Sequence, residues 1–214
     1  MEAVYQETHE SGAVIKIYQD ENPLDPRTDW DHEGTEMLCW HGRYDQLGDK
    51  HSYDQPADLT EELKEQEQET GEAAEPLPLY LMDHSGITMR TGSEAFRACD
   101  PQRWDWGQVG WIVARPAGIR KIYDIPKDEP ITEDHRRRVR ELMEAEVETY
   151  DHYLTGQVYG YVVESPWGDH YDSCWGYFGD ADDKYILDEA RAAAAGWGRM
   201  LAEAGAAQEQ GATA

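Results

Sequence analysis

The sequence predicts an α+β fold: a mainly antiparallel sheet with one long amphipathic helix and a C-terminal helix packed on it. Three observations carry that expectation. Strand-like segments cluster instead of alternating with helices in βαβ order. One apolar stripe at helical spacing dominates the second half of the chain, over residues 133–154. Hydrophobic residues make up 39% of the 214, with 8 Trp and 13 Tyr against 2 Phe, enough for a core despite the charge. The length suits one domain over residues 1–204, with an acidic helical and linker insertion at about 54–76 and a frayed tail at 205–214.

In chain order, Ala13 to Gln19 is rich in β-branched and aromatic residues and reads as a first strand. Asn22-Pro23 and Asp25-Pro26 mark a loop reaching Gly34. Met37 to Trp40 suits a second strand, after which Gly42 and Gly48 interrupt regular structure. Ala57 to Gln68 reads as a short exposed helix with one apolar pair, Leu59 and Leu63. It fades into an acidic linker that Pro76 and Pro78 stop. Leu79 to Met82 begins a third strand, and a loop runs from Thr91 to Gly107. Gln108 to Ala114 is the clearest strand, and Pro116 fits the first turn of a short helix. The long helix spans Glu133 to Leu154. Thr132 is its N-cap, Glu133 and Asp134 suit the positive end of the dipole, and Gly156 ends it. Its Arg136, Arg137, Arg138 and Arg140 precede a run of glutamates, so surface pairs such as Arg137–Glu141 and Arg140–Glu144 are expected in place of a nucleic-acid patch. Val158–Val163 and Tyr171–Phe178 form a hairpin, and a last helix runs from about Tyr185 to Ala204. The expected core is Val14, Ile17, Leu81, Val109, Trp111, Val113, Leu142, Val147, Val162 and Trp175.

The charge narrows the function classes. There are 45 Asp plus Glu against 19 Lys plus Arg, a formal net charge of −26. Nucleic-acid affinity comes mainly from neutralising phosphates with Lys and Arg, so direct nucleic-acid binding is not expected. Excess carboxylate with only 6 Lys beside 13 Arg suits a salt-rich cytoplasm, where hydrated acids stay soluble under screening. Cys39, Cys99 and Cys174 form no CxxC pair, which argues against a disulfide-stapled secreted domain. The first ten residues carry acids and no apolar segment, and no run approaches the ~20 apolar residues of a membrane helix. A cytoplasmic protein with no membrane partner is expected.

Two strings have the residue types of active sites. Asp83-His84-Ser85-Gly86 sits at a predicted strand end, where His84 beside Asp83 would serve as a base, although the same residues also build ordinary turns. In Asp172-Ser173-Cys174-Trp175-Gly176, strand alternation puts Asp172 and Cys174 on one face, and a nucleophilic Cys174 needs a histidine brought near by folding. Cys39, His41, Asp49 and His51 match no standard zinc spacing, so no structural zinc is expected, although folding could bring His41, Asp49 and His51 to Asp83 and His84 across a sheet, and no metal ligand or cofactor is assigned.

Several strings together resemble a family of small uncharacterised accessory proteins encoded by bacteriophages, archaeal viruses, plasmids and some prokaryotic chromosomes. They run from Ile17 through Pro23, then Pro26-Arg27, Trp30-Asp31, His41-Gly42-Arg43-Tyr44 and Leu47-Gly48-Asp49. Leu79 to Gly86, Gly107 to Ile112, Glu146 to Asp151 and Asp172 to Gly176 follow. The resemblance implies a viral or mobile-element context in a prokaryotic host and carries no catalytic role. Trp30, Asp31, His41, Arg43, Tyr44, Asp49, Trp104 and Asp172 are the candidate binding residues. The leading expectation is an acidic accessory protein that binds a basic host protein, with a nucleic-acid mimic as its sharp version. The alternative is a metal- or thiol-dependent hydrolase built on Asp83, His84 and Cys174. A second alternative is a halophilic protein whose charge is salt adaptation.

Overall fold

Residues Met1–Leu24 and Gly156–Ala214 form one compact unit, and Asp25–Thr155 forms another. They are called here the terminal and the central unit. The structure, a computed structural model, describes the backbone of residues 2–211 and side chains as far as residue 204. The fold is α+β, with every strand pairing antiparallel. Where one sheet was expected there are two, each of four strands.

After β1 (Tyr5–Thr8) and β2 (Val14–Gln19) of the terminal unit, the central unit contains β3 (Thr35–Cys39), α1 (Pro56–Thr70), β4 (Glu75–Asp83), β5 (Ile87–Arg90), α2 (Glu94–Cys99), β6 (Trp106–Ala114), α3 (Pro116–Ile122) and α4 (Glu133–Thr155). Its sheet has the order β3-β6-β4-β5. The apolar stripe of α4, Val139, Met143, Val147 and Tyr150, packs against Met37, Leu79, Leu81, Met89 and Ile112. Leu142, expected in the core, is only half-buried because it flanks this stripe. Thr132 caps α4 as expected: its Oγ1 accepts from His135 N at 3.3 Å, and Gly156 follows the helix with φ 72°. Asp151, buried on α4, accepts from Met89 N at 2.6 Å and pairs with Arg90, tying the helix to β5.

The acidic segment is not a loose insertion. Its helix is longer than expected, with Pro56 in its first turn, Asp58 closing a capping box with Gln55, and Gly71 ending it at φ 73°. Leu59 is fully buried against Leu38 and Val113, with Leu63 and Trp111 beside them, so α1 covers the sheet face opposite α4. Trp111 is therefore half-buried under this helix. Pro76 and Pro78 do not stop a linker. They lie within β4, paired with β6, at positions β5 does not reach, where a missing N–H is tolerated. The loop expected over Thr91–Gly107 holds the short α2. At Gly110 a Cβ would stand 1.9 Å from the Leu38 carbonyl oxygen, so β3 and β6 approach this closely only over glycine.

The terminal unit has β1 (Tyr5–Thr8), β2 (Val14–Gln19), β7 (Val158–Glu164), β8 (His170–Phe178) and α5 (Lys184–Gly211), with sheet order β1-β2-β7-β8. α5 lays Ile186, Leu187, Ala190, Ala194 and Trp197 on Ala13, Ile15, Ile17, Tyr161 and Val163. Strand alternation then turns Val14 and Val162 to the opposite face, and both are half-buried where core was expected. Trp175 is 40% exposed on that same face, its ring over Gly160, where a Cβ would meet it at 2.3 Å. Helix α5 continues to Gly211, past the expected end at Ala204, so the tail expected to fray from 205 is helical over that stretch, and residues 212–214 lie outside the described residues. No helix among the described residues is long and apolar enough to cross a membrane.

Candidate functional site

A cleft of about 310 Å³ opens in the central unit where β4 ends and β6 begins. It gathers five residues singled out in the sequence, His41, Arg43, Tyr44, Asp83 and Trp104, and adds Asp105, which sequence reasoning missed. Tyr44 donates its hydroxyl to Asp83 Oδ2 at 2.5 Å, and Arg43 reaches the same oxygen at 3.0 Å. Bonding to that carboxylate raises the Tyr44 phenol above its ordinary pKa. The rings of His41 and Tyr44 lie 5.2 Å apart. His84 does not pair with Asp83, its sequence neighbour. Its Nδ1 meets Asp105 Oδ2 at 2.7 Å, because Asp83 and His84 point to opposite sides of the strand end. The turn beyond holds Ser85 at φ 61°, a left-handed conformation that is uncommon outside glycine.

The far wall is the loop from Asp100 to Asp105. Asp100 accepts backbone N–H bonds from Trp104 at 2.6 Å, Asp105 at 3.0 Å and Gln102 at 3.2 Å. These bonds, that of Asp105 foremost, hold the Asp100 carboxyl below its usual range. The Trp104 indole N–H donates to Gln102 Oε1 at 2.8 Å, and its ring is 80% exposed. Trp106 next to it is buried, its N–H given to the Asp100 carbonyl oxygen at 2.8 Å and the Arg103 guanidinium over its ring at 4.5 Å. Tryptophans two residues apart on an extended segment face opposite environments only because the loop ends and β6 begins between them.

Asp49 belongs to a different arrangement. The Arg27 side chain is 1% exposed and grips Asp49 through Nε at 2.9 Å and Nη2 at 2.5 Å, and Glu146 through Nη1 at 2.9 Å. Asp49 also accepts from Met37 N, and Thr35 Oγ1 donates to Glu146. The carboxylates are satisfied from several sides, which makes this a structural centre joining the loop after Leu24, β3 and α4. Trp30 and Asp31 line a separate, largely apolar cleft of about 310 Å³ with His32, Leu142, Ala145 and Thr149. Burial lowers the His32 pKa.

A third cleft, about 560 Å³, is lined by Trp40, Asp45, Asp49, His51, Tyr53 and Asp54 among others. His51 Nε2 meets the Cys39 carbonyl oxygen at 2.9 Å, and its buried Nδ1 has no hydrogen-bond partner among the described residues. Cys39 is buried and its thiol is pushed up to about 12 by that burial, so it is inert as a nucleophile. Cys174 lies in the terminal unit, exposed on β8 in a shallow cavity of about 390 Å³ with Tyr177, Asp180, Asp183 and Tyr185. Asp172 shares its strand face as predicted, yet the pairing of Tyr161 with Cys174 puts this face on the α5 side of the sheet. Among the described residues no group of three or more His, Cys, Asp or Glu is arranged to hold a metal ion.

These features define an acidic α+β protein of two units with a polar cleft on the central sheet. The chain matches no family model, no curated protein and no solved structure.

Proposed function

We propose that the protein is an acidic accessory protein that docks on a basic protein surface, with the outer face of α1 as its docking ridge. One observation carries the reading: most of the arginines are engaged by the chain's own carboxylates. Among the described residues, nine of the 13 arginines sit in ion pairs with the chain's own carboxylates. What is left facing outward is mainly carboxylate, with a few exposed cations such as Lys50, Lys64, Arg97 and Lys127 among it. On α1, Glu61, Glu65 and Glu69 recur at four-residue steps, all exposed and outside any ion pair. Four residues advance a helix by about 6 Å, so the three charges form one row. A basic cleft that normally holds nucleic acid is the natural counterpart of such a row, and salt would weaken the complex. Exposed acids also stand on α4, at Glu144 and Glu148, so the field is not confined to the ridge. The viral or mobile-element setting is supported by the sequence resemblance alone.

The test is titration with a purified basic DNA-binding protein, using duplex DNA as competitor. Replacing Glu61, Glu65 and Glu69 together by Gln should weaken binding about tenfold and flatten its salt dependence. Unchanged affinity in that triple variant removes α1 from the reading.

A second reading, a hydrolase, draws support from one contact. The Asp105 bond fixes His84 through Nδ1 and leaves Nε2 outward as a base, while Cys174 has no part in that pair. Ester or phosphoester turnover that disappears in His84→Ala would establish it.

A further inference from the structure

We infer that the Trp104 cleft is a subsite for one arginine side chain, taking a guanidinium between the exposed indole and the carboxylates of Asp83 and Asp105. The inference rests on the docking reading for its source, a basic protein, while the recognition chemistry does not depend on α1.

The indole is presented, not merely uncovered. Its N–H is tied to Gln102, and its backbone N–H and that of Asp105 are tied to Asp100. Arg103 holds the loop in a left-handed conformation, φ 60°. A large apolar ring kept out of the core by this many fixed contacts is a preorganised stacking surface, whose ordering cost is already met in the free protein. The two carboxylates spring from adjoining backbones, since Asp83 N donates to the Asp105 carbonyl oxygen at 2.8 Å. Asp83 uses Oδ2 for both Tyr44 and Arg43, and Asp105 uses Oδ2 for His84. No donor among the described residues reaches Oδ1 of either. A guanidinium has a flat face for the ring and a fork of N–H groups for carboxylate oxygens, a combination an ammonium lacks. The chain uses the same pairing three times among the described residues, Arg103 over Trp106 at 4.5 Å, Arg138 over Tyr123 at 4.7 Å and, in this cleft, Arg43 over Tyr44 at 5.7 Å. A net charge of −26 steers cations toward the surface, and the cleft selects among them.

Arg43 makes the proposal sharp. It is 73% exposed and holds Asp83 by one 3.0 Å contact, so it occupies part of the subsite weakly. For an incoming guanidinium Arg43 is a competitor. For an anionic ligand it would be the main attraction. His41, which lines the cleft, and His84, bonded to Asp105, would join Arg43 around an anion.

The experiment is a titration of the full chain with Nα-acetyl-arginine methylamide, followed on the Trp104 indole N–H signal by two-dimensional NMR. The matching lysine and citrulline amides are run in parallel. Arginine should shift that signal saturably, lysine more weakly, and citrulline not at all. Trp104→Ala, followed on neighbouring amide signals, and Asp105→Asn should each weaken binding about threefold to tenfold. Arg43→Ala should tighten it. Equal binding of citrulline, no loss in Trp104→Ala, or weaker binding in Arg43→Ala each overturns the inference. The two proposals fail separately. If the glutamine triple variant on α1 loses the basic protein while Trp104→Ala leaves arginine binding unchanged, the subsite falls and the ridge stands. If arginine binds but no basic protein does, the docking reading falls and the subsite stands.

Discussion

Arg27 shows how residue chemistry was visible in the sequence while its purpose was not. Pro26-Arg27 and Leu47-Gly48-Asp49 stood out as strings, and Asp49 invited a binding role. What no local pattern conveys is that Arg27 spans to Glu146, 119 positions away, and closes a part-buried triad with Asp49. The same limit hid Asp105, since the partner of His84 lies 21 residues on while Asp83 sits beside it. Removing the Arg27 guanidinium, itself 1% exposed, leaves two part-buried carboxylates facing each other without their shared cation. Arg27→Ala should therefore cost about 3–5 kcal/mol, far more than loss of an exposed pair such as Arg137–Glu141. Urea melts of the two variants would measure it. A loss below about 1 kcal/mol for Arg27→Ala would mean that water enters and replaces the arginine.

At the scale of elements, long periodic segments were legible and short or non-local ones were not. The stripe and caps of α4 gave its bounds to within a residue, because an amphipathic helix writes its own pattern. The α1 segment misled because its six acids and sparse apolar residues look solvated, while Leu59, with Leu63 beside it and the Glu62–Arg115 pair, anchors it. Arg140 was expected to pair with Glu144 and instead takes Glu75 and Glu133, since β4 brings Glu75 within reach. Strand β1 left little trace, being four residues whose exposed side is polar. Its tie to α5 is nonetheless specific: Arg191 holds Glu7 through two bonds, 2.7 and 2.9 Å. The hydrogen bonds from Arg191 lower the Glu7 pKa to about 2 from 4.5. A carboxyl depressed on folding stabilises fully above its unfolded pKa and loses that stabilisation as pH falls toward the folded value. The melting-temperature gap between the wild type and Glu7→Gln should be full at pH 6 and close progressively from about pH 4.5 down to 2. A gap that stays constant across that range would show that the pair adds nothing through its charge.

For the whole molecule the open matter is what 45 carboxylates against 19 cations do to stability. The α+β class was legible because strands and helices did not alternate, but composition does not count sheets, so the two-unit arrangement was not. Composition equally leaves the charge with two uses, attraction of a partner or tolerance of salt, and the salt dependence of folding separates them. Most of the arginines neutralise carboxylates within the fold, and the surplus stands outside. Internal pairing of this kind limits self-repulsion at low ionic strength, where unpaired acids repel over about 30 Å at 0.01 M salt against about 3 Å at 1 M. A fold held by such pairs should already be formed at 10 mM potassium chloride and gain only modestly toward 1 M as the outer acids are screened. Circular dichroism melts across that range make the measurement. If the protein is unfolded below molar salt, repulsion outweighs the internal pairs, the charge is an adaptation to the solvent, and both the α1 ridge and its steering of basic partners lose their footing. If it melts cooperatively at 10 mM, the outer carboxylates are carried at full strength where attraction to a basic surface is longest in range, which is the condition a docking protein requires.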